Sequence, residues 1–218
     1  MRDAVYVWEL PVRLIHWTIF LSVGVLSITG YYIGDPFVIV RGEAYGGYLM
    51  GWMRFVHAVA AFVFTLSVLA RIYWAFAGNR YARWSELLPV SRERCAGALE
   101  MLGYYLLLRR EPHPSVGHNP LAGFSYLWLY LLFVLQILTG FALRSAGYPG
   151  GVWRATFGWI LVVFGSQAVR LTHHLLMWVI IAWVAHHVYS AILVDTAERS
   201  GLISSIFTGY KSVRRKAT

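Results

Sequence analysis

Charge is scarce in this sequence, and what there is sits at the edges of long apolar runs. Charged residues make up 13% of the 218 residues and hydrophobic ones 58%, where a soluble domain carries roughly 25% charged residues. The deficit falls in blocks, which marks a membrane protein. No Asp or Glu lies inside any of the apolar runs, so a proton relay through them has no carboxylates to extend it. Cysteine is nearly missing. Cys95 stands alone, which excludes an intramolecular disulfide and a cysteine-rich cluster. There is no Cys-x-x-Cys-His, which excludes c-type covalent haem attachment. The start, MRDAVYVWELPVR, lacks the features of a signal peptide: the apolar run after it is too long for an h-region and has no small-residue cleavage site. The net charge of +9 does not point to nucleic acid, because the basic residues flank apolar runs and form no single basic face.

What is present is four runs long enough to cross a bilayer core of about 30 Å as helices of about 20 residues. They cover about 14–33, 50–77, 121–143 and 168–194. Backbone groups in lipid must be satisfied internally, so all four are expected to be helical. The expected fold is an all-α integral membrane four-helix bundle, one domain over residues 1–218. Two shorter apolar stretches, Ala96–Leu108 and Val152–Gly165, read as interfacial helices. The stretch EPHPSVGHNP, 111–120, reads as a Pro/Gly-rich linker. With the N-terminus inside, 14 Lys and Arg residues face the cytoplasm and 5 (Arg41, Arg54, Arg144, Arg154 and Arg170) face outward. That bias places both termini in the cytoplasm.

Six of the eight histidines fall in the expected spans: His16, His57, His173, His174, His186 and His187. His113 and His118 lie in the polar linker and read as solvated. By depth, His16 lies near the cytoplasmic start of the first span and His57 near the periplasmic start of the second. His173 and His174 open the fourth span on the periplasmic side, and His186 and His187 lie toward its cytoplasmic end. Each side of the membrane thus has one His from the first or second span and a choice of two from the fourth, the layout of two bis-imidazole sites.

Helical phase makes the choice. At about 100° per residue, positions 14 apart end about 40° from alignment, and positions 12 or 13 apart about 120–140° away. His173 and His187 therefore share a face, about 21 Å apart along the axis. That distance suits two large planar cofactors and is too long for one metal centre. Zinc needs three or four ligands close together, which two groups a membrane apart do not supply. Any one of these histidines also has a structural reading, as a hydrogen-bond donor between helices. That is the reading for His174 and His186. Arg13, Arg54 and Arg170 each precede a selected His by three residues, the spacing that puts two side chains on one face. Each is suited to pair with a haem propionate at the aqueous edge. The pairs Thr29-Gly30 and Thr139-Gly140 recur near periplasmic helix ends. They would let a flat macrocycle approach, or equally make an ordinary helix contact.

RLIHWTIFLSVGVLSITG, 13–30, resembles the first-helix signature of the b-type cytochrome subunit of membrane-bound NiFe-hydrogenases, in the bacterial cytochrome b561 superfamily. VRLTHHLLMW, 169–178, followed by HHVY, 186–189, resembles that family's fourth-helix motif, and the tail GLISSIFTGYKSVR is similar to its C-terminal segment. The resemblance covers essentially the whole chain. Thr18 and Leu176 depart from the usual pattern, and neither touches a ligand position.

The resemblance implies a four-helix protein holding two haems b, with His57 and His173 on the periplasmic haem and His16 and His187 on the cytoplasmic one. It implies electron transfer from the iron–sulfur small subunit of a periplasm-facing NiFe-hydrogenase, bound with its large subunit, to quinone in the bacterial inner membrane. The quinone pocket is expected near His187 and Tyr189, with Arg71. The Trp-rich segment 144–167 and the segment 34–49 form the expected docking surface. The broader superfamily keeps two alternatives open: a cytochrome subunit of a formate dehydrogenase or thiosulfate reductase complex, or a stand-alone b561-type quinol oxidoreductase.

Overall fold

A computed structural model describes residues 2–38, 47–88, 91–148 and 150–214. Arg41, Arg215 and Lys216 of the charge count, and residues 39–46 of the expected docking segment 34–49, lie outside them.

Four helices are long and apolar enough to cross a membrane: α1 (Leu10–Gly34), α2 (Leu49–Ala77), α5 (Pro120–Ser145) and α7 (Ser166–Glu198). Each starts at or before the expected span and ends at or after it. Hydropathy sees only the part that matches the lipid. α7, with 33 residues, is about 50 Å long, well over the hydrocarbon thickness, because the polar residues Asp195–Glu198 continue the helix. Shorter helices connect them: α3 (Trp84–Leu87), α4 (Arg92–Tyr105), α6 (Val152–Phe164) and α8 (Leu202–Thr208). α4 begins four residues before the expected Ala96, since the Ser91 side chain accepts from the Arg94 backbone N–H and caps it. It ends at Tyr105, and Leu107 then takes a positive φ of 61°.

The chain also forms one element that periodicity does not announce. β1 (Arg2–Tyr6) pairs antiparallel with β2 (Tyr210–Arg214), in a register that sets Ala4 against Ser212. The turn into β2 depends on Gly209, which has φ 89° and whose carbonyl accepts from the N–H groups of Val7 and Trp8. A Cβ there would meet the Tyr6 ring at 2.5 Å.

The structure divides into two compact units, and each long helix contributes one stretch to each. The first unit comprises residues 1–17, 69–130 and 184–218. Its core is Val7, Trp8, Val12, Tyr81 and Ala82. Polar side chains fix this core. Glu9 accepts from Trp74 Nε1 at 3.0 Å and from the Asn79 N–H at 2.8 Å, and Trp8 Nε1 donates to Ser205 Oγ at 3.0 Å. Lys211, buried to 2% exposure, pairs with Glu198 at 3.3 Å and donates to the Ser115 carbonyl.

The second unit comprises residues 18–68 and 131–183. Ala142, Ile160 and Val169 form its core, bringing α5, α6 and α7 together. Trp153 stacks on Phe141 at 5.2 Å, and the Arg144 guanidinium lies over the ring of Trp153 at 5.7 Å. The expected docking segment 144–167 thus turns part of its aromatic content inward, while Trp159, Val162, Val163 and Phe164 stay exposed.

Candidate functional site

Each unit brings one imidazole pair together. In the first, His16 of α1 and His187 of α7 lie with ring centroids 6.4 Å apart. His16 also meets Trp17 edge-on at 5.2 Å, and its Nδ1 is buried without a hydrogen-bond partner. His187 Nδ1 lies 3.3 Å from the Tyr126 hydroxyl of α5. The second unit holds His57 of α2 and His173 of α7. His57 Nδ1 lies 2.8 Å from Thr29 Oγ1 of α1, and His173 Nδ1 lies 2.9 Å from Thr139 Oγ1 of α5. Gln136 Nε2 approaches His173 Nε2 at 3.4 Å. Among the described residues, no three His, Cys, Asp or Glu side chains converge on one point.

The other two histidines of α7 face different neighbours. His174 Nε2 accepts from Trp178 Nε1 at 3.3 Å, one turn along the same helix, and its ring packs by Gly34. His186 is exposed, with the Tyr105 ring 6.3 Å away.

The arginines divide. Arg13 donates through Nη1 to the Phe207 carbonyl, and its Nε is buried without a partner. Arg54 and Arg170 are exposed. Arg71 is only 7% exposed, with Nη1 unpartnered. It lines a cavity of about 10 Å³ with Trp84 and Tyr130, and Trp84 Nε1 is also buried without a partner. Tyr189 is 63% exposed. It lies two residues past His187, about 200° around the helix, and so on the other face from it.

The linker histidines are corrected by the structure: both are engaged, not solvated. His113 Nδ1 pairs with Glu100 at 3.0 Å, and Arg109 pairs with the same carboxylate at 3.1 Å. These two partners hold the Glu100 carboxyl below its usual range. The His118 ring sits 4.6 Å from Trp8 and 4.9 Å from Tyr126. Burial, with the positive charge of Arg71 next, pushes its pKa down to about 3. The polar appearance of 111–120 hid this, because the aromatic partners come from distant parts of the chain.

The family model for prokaryotic cytochrome b561 matches residues 7–209. The chain belongs to the prokaryotic cytochrome b561 family. Among its relatives, the Ni/Fe-hydrogenase B-type cytochrome subunit of Cupriavidus necator is 43% identical, over 97% of this chain and 88% of the relative. The corresponding protein of Azotobacter vinelandii is 42% identical, over 96% and 89%. That of hydrogenase 1 from Escherichia coli K12 is 39% identical, over 95% and 90%. With four apolar helices, this cytochrome b561 family member is a multi-pass bacterial membrane protein.

A b-type cytochrome holds haem b, and the residues fit it. Two imidazoles that held one metal ion between them would have ring centroids about 6 Å apart, since a metal–imidazole bond of about 2 Å and about 1 Å from nitrogen to ring centre each count twice. The 6.4 Å between His16 and His187 matches that requirement. In the other pair the glycines provide the room. A Cβ on Gly30 would lie 3.1 Å from His57 Cε1, and one on Gly140 would lie 3.0 Å from His173 Cε1.

Proposed function

We propose that the chain is the dihaem cytochrome b of a NiFe-hydrogenase complex, anchoring the hydrogenase and carrying electrons from its iron–sulfur small subunit to membrane quinone. The observation that carries this reading is the spacing of His16 and His187, supported by relatives that are named as hydrogenase cytochrome subunits. His16 with His187, and His57 with His173, are the residues that would hold the two haem irons. Haem b held by two imidazoles would supply one-electron iron chemistry suited to electron transfer.

The other side chains bind and orient. Arg13, with its buried unpartnered Nε one turn from His16, is placed to pair with a propionate. Arg54 and Arg170 take the same role for His57 and His173 from exposed positions. With both termini cytoplasmic, His57 and His173 belong to the periplasmic haem, next to the large and small hydrogenase subunits. The exposed part of α6 is the docking face. Quinone is reduced on the cytoplasmic side, with Arg71 and its unpartnered Nη1 as the donor to a quinone carbonyl and Tyr189 at the lipid entrance.

Purification of the full chain in mild detergent tests this. Reduced-minus-oxidised spectra and a pyridine haemochrome assay are expected to give two haems b per chain, with an iron–sulfur subunit co-purifying. A chain without haem sinks the reading. A haem-loaded chain with no partner redirects it to a stand-alone quinol oxidoreductase, and a formate dehydrogenase or thiosulfate reductase partner redirects it to those complexes.

A further inference from the structure

The two Thr-Gly pairs meet their histidines in the same way. The Thr29 hydroxyl has one proton, and the Val25 carbonyl lies 2.7 Å away as its acceptor, one helical turn back. The oxygen that faces His57 Nδ1 at 2.8 Å is therefore left to accept, and the imidazole must donate. On α5 the pattern repeats. The Leu135 carbonyl is 2.7 Å from Thr139 Oγ1, and His173 Nδ1 is 2.9 Å from it.

The glycines complete the device. Nδ1 and Cε1 are adjacent atoms of one ring, and Thr and Gly are adjacent residues of one helix. Thr holds Nδ1 while Gly makes room for Cε1, at about 3 Å from where a Cβ would stand. A methyl at either glycine would press on the ring, which would have to give by a few tenths of an ångström.

We propose that Thr29 and Thr139 are positioning residues that fix His57 and His173 in the tautomer with Nε2 bare, and that their hydrogen bonds lower the midpoint potential of the haem bound between these two histidines. The proposal rests on the reading of His57 and His173 as axial ligands. An imidazole that donates its outer N–H to an acceptor is a more basic ligand. A more basic ligand favours ferric iron over ferrous. Thr29 and Thr139 both meet the His57/His173 pair, whereas the hydroxyl that faces His187 Nδ1 is that of Tyr126, at 3.3 Å. The effect is therefore confined to one haem.

The test uses full-length chain in detergent, with haem content, equilibrium potentiometry and low-temperature EPR as readouts. Thr29→Val and Thr139→Val keep the side-chain shape and remove the hydroxyl acceptor, leaving the Leu26 and Gln136 backbone carbonyls beside the rings. Each is expected to raise the midpoint potential of one haem and shift its low-spin EPR signal, the double variant further, with the second haem unmoved. The affected haem is the one absent from His57→Ala. Thr29→Ser and Thr139→Ser are expected to keep wild-type potentials. Two bound haems with unchanged potentials and EPR in both Val variants overturn the proposal, as does a shift in the haem that His57→Ala retains. If a Val variant loses haem, retention at wild-type potential in the matching Ser variant supports the hydroxyl's role, and loss in both overturns it. Wild-type chain with fewer than two haems overturns the ligand reading itself, a different result from two haems that ignore the threonines.

Discussion

His16 and His187, from the first and last long helices, face each other with ring centroids 6.4 Å apart. His186, one residue before His187, is exposed. Adjacent residues on a helix point about 100° apart, so substitution at these two positions should have opposite results. His187→Ala and His16→Ala should each leave one haem per chain. His186→Ala and His174→Ala should leave two. The pyridine haemochrome assay reads this directly.

Gly140→Ala and Gly30→Ala should each disturb the other haem. The added Cβ comes within 3.0 Å and 3.1 Å of the His173 and His57 rings, an overpacking that costs about 1–3 kcal/mol in a tight interior. The expected result is a lowered haem occupancy or a broadened low-spin EPR signal for that haem alone, with the His16/His187 haem unchanged.

His118 should make the first unit sensitive to acid. Its pKa falls from 6.5 in the unfolded chain to about 3 in the fold. The unfolded state therefore binds the proton more readily. The stabilisation from holding this ring neutral is complete above about pH 6.5 and is lost as pH falls toward 3. Arg71, His187, Arg94 and Lys211 add positive charge around it. Thermal unfolding in detergent between pH 7.5 and 4 should show a steeper loss for wild type than for His118→Leu.

Arg71→Gln should weaken quinone reduction and leave both haems in place. Loss of a charged hydrogen bond in a buried setting costs about 1.5–3 kcal/mol, or about ten-fold and more in rate. Tyr189→Phe, at an exposed position, should stay close to wild type. Steady-state reduction of a soluble quinone analogue distinguishes the two.

Lys211→Met should destabilise the first unit by about 3–5 kcal/mol, because it leaves the Glu198 carboxylate without its cation. That carboxylate is 14% exposed. Combining Lys211→Met with Glu198→Leu should recover part of the loss, measured as the midpoint of thermal unfolding.

The long helices were legible in the sequence because lipid permits little else for an apolar run. Their ends were not, since residues such as Asp195–Glu198 continue α7 beyond the apolar part. The shared face of His173 and His187 follows from the helix repeat alone, and the His16 ring lies 6.4 Å from that of His187. The roles of Thr29 and Thr139 were visible only as a repeated dipeptide. The pattern has a meaning once the ring of a residue on another helix is seen against it. His118 was read as solvated because its linker is polar, whereas Trp8 and Tyr126 close on it from far away in the chain. The pairing of β1 with β2 had no local signal at all.

That pairing has a consequence for biosynthesis. β1 precedes all four spans and β2 follows them, so β1 must wait through the synthesis of all four before its partner arrives. A nascent chain halted before Tyr210 already carries all four haem-ligand candidates, yet it presents an open strand edge. Closing this edge therefore joins the two flanks of the four-span segment only after every span between them has been made.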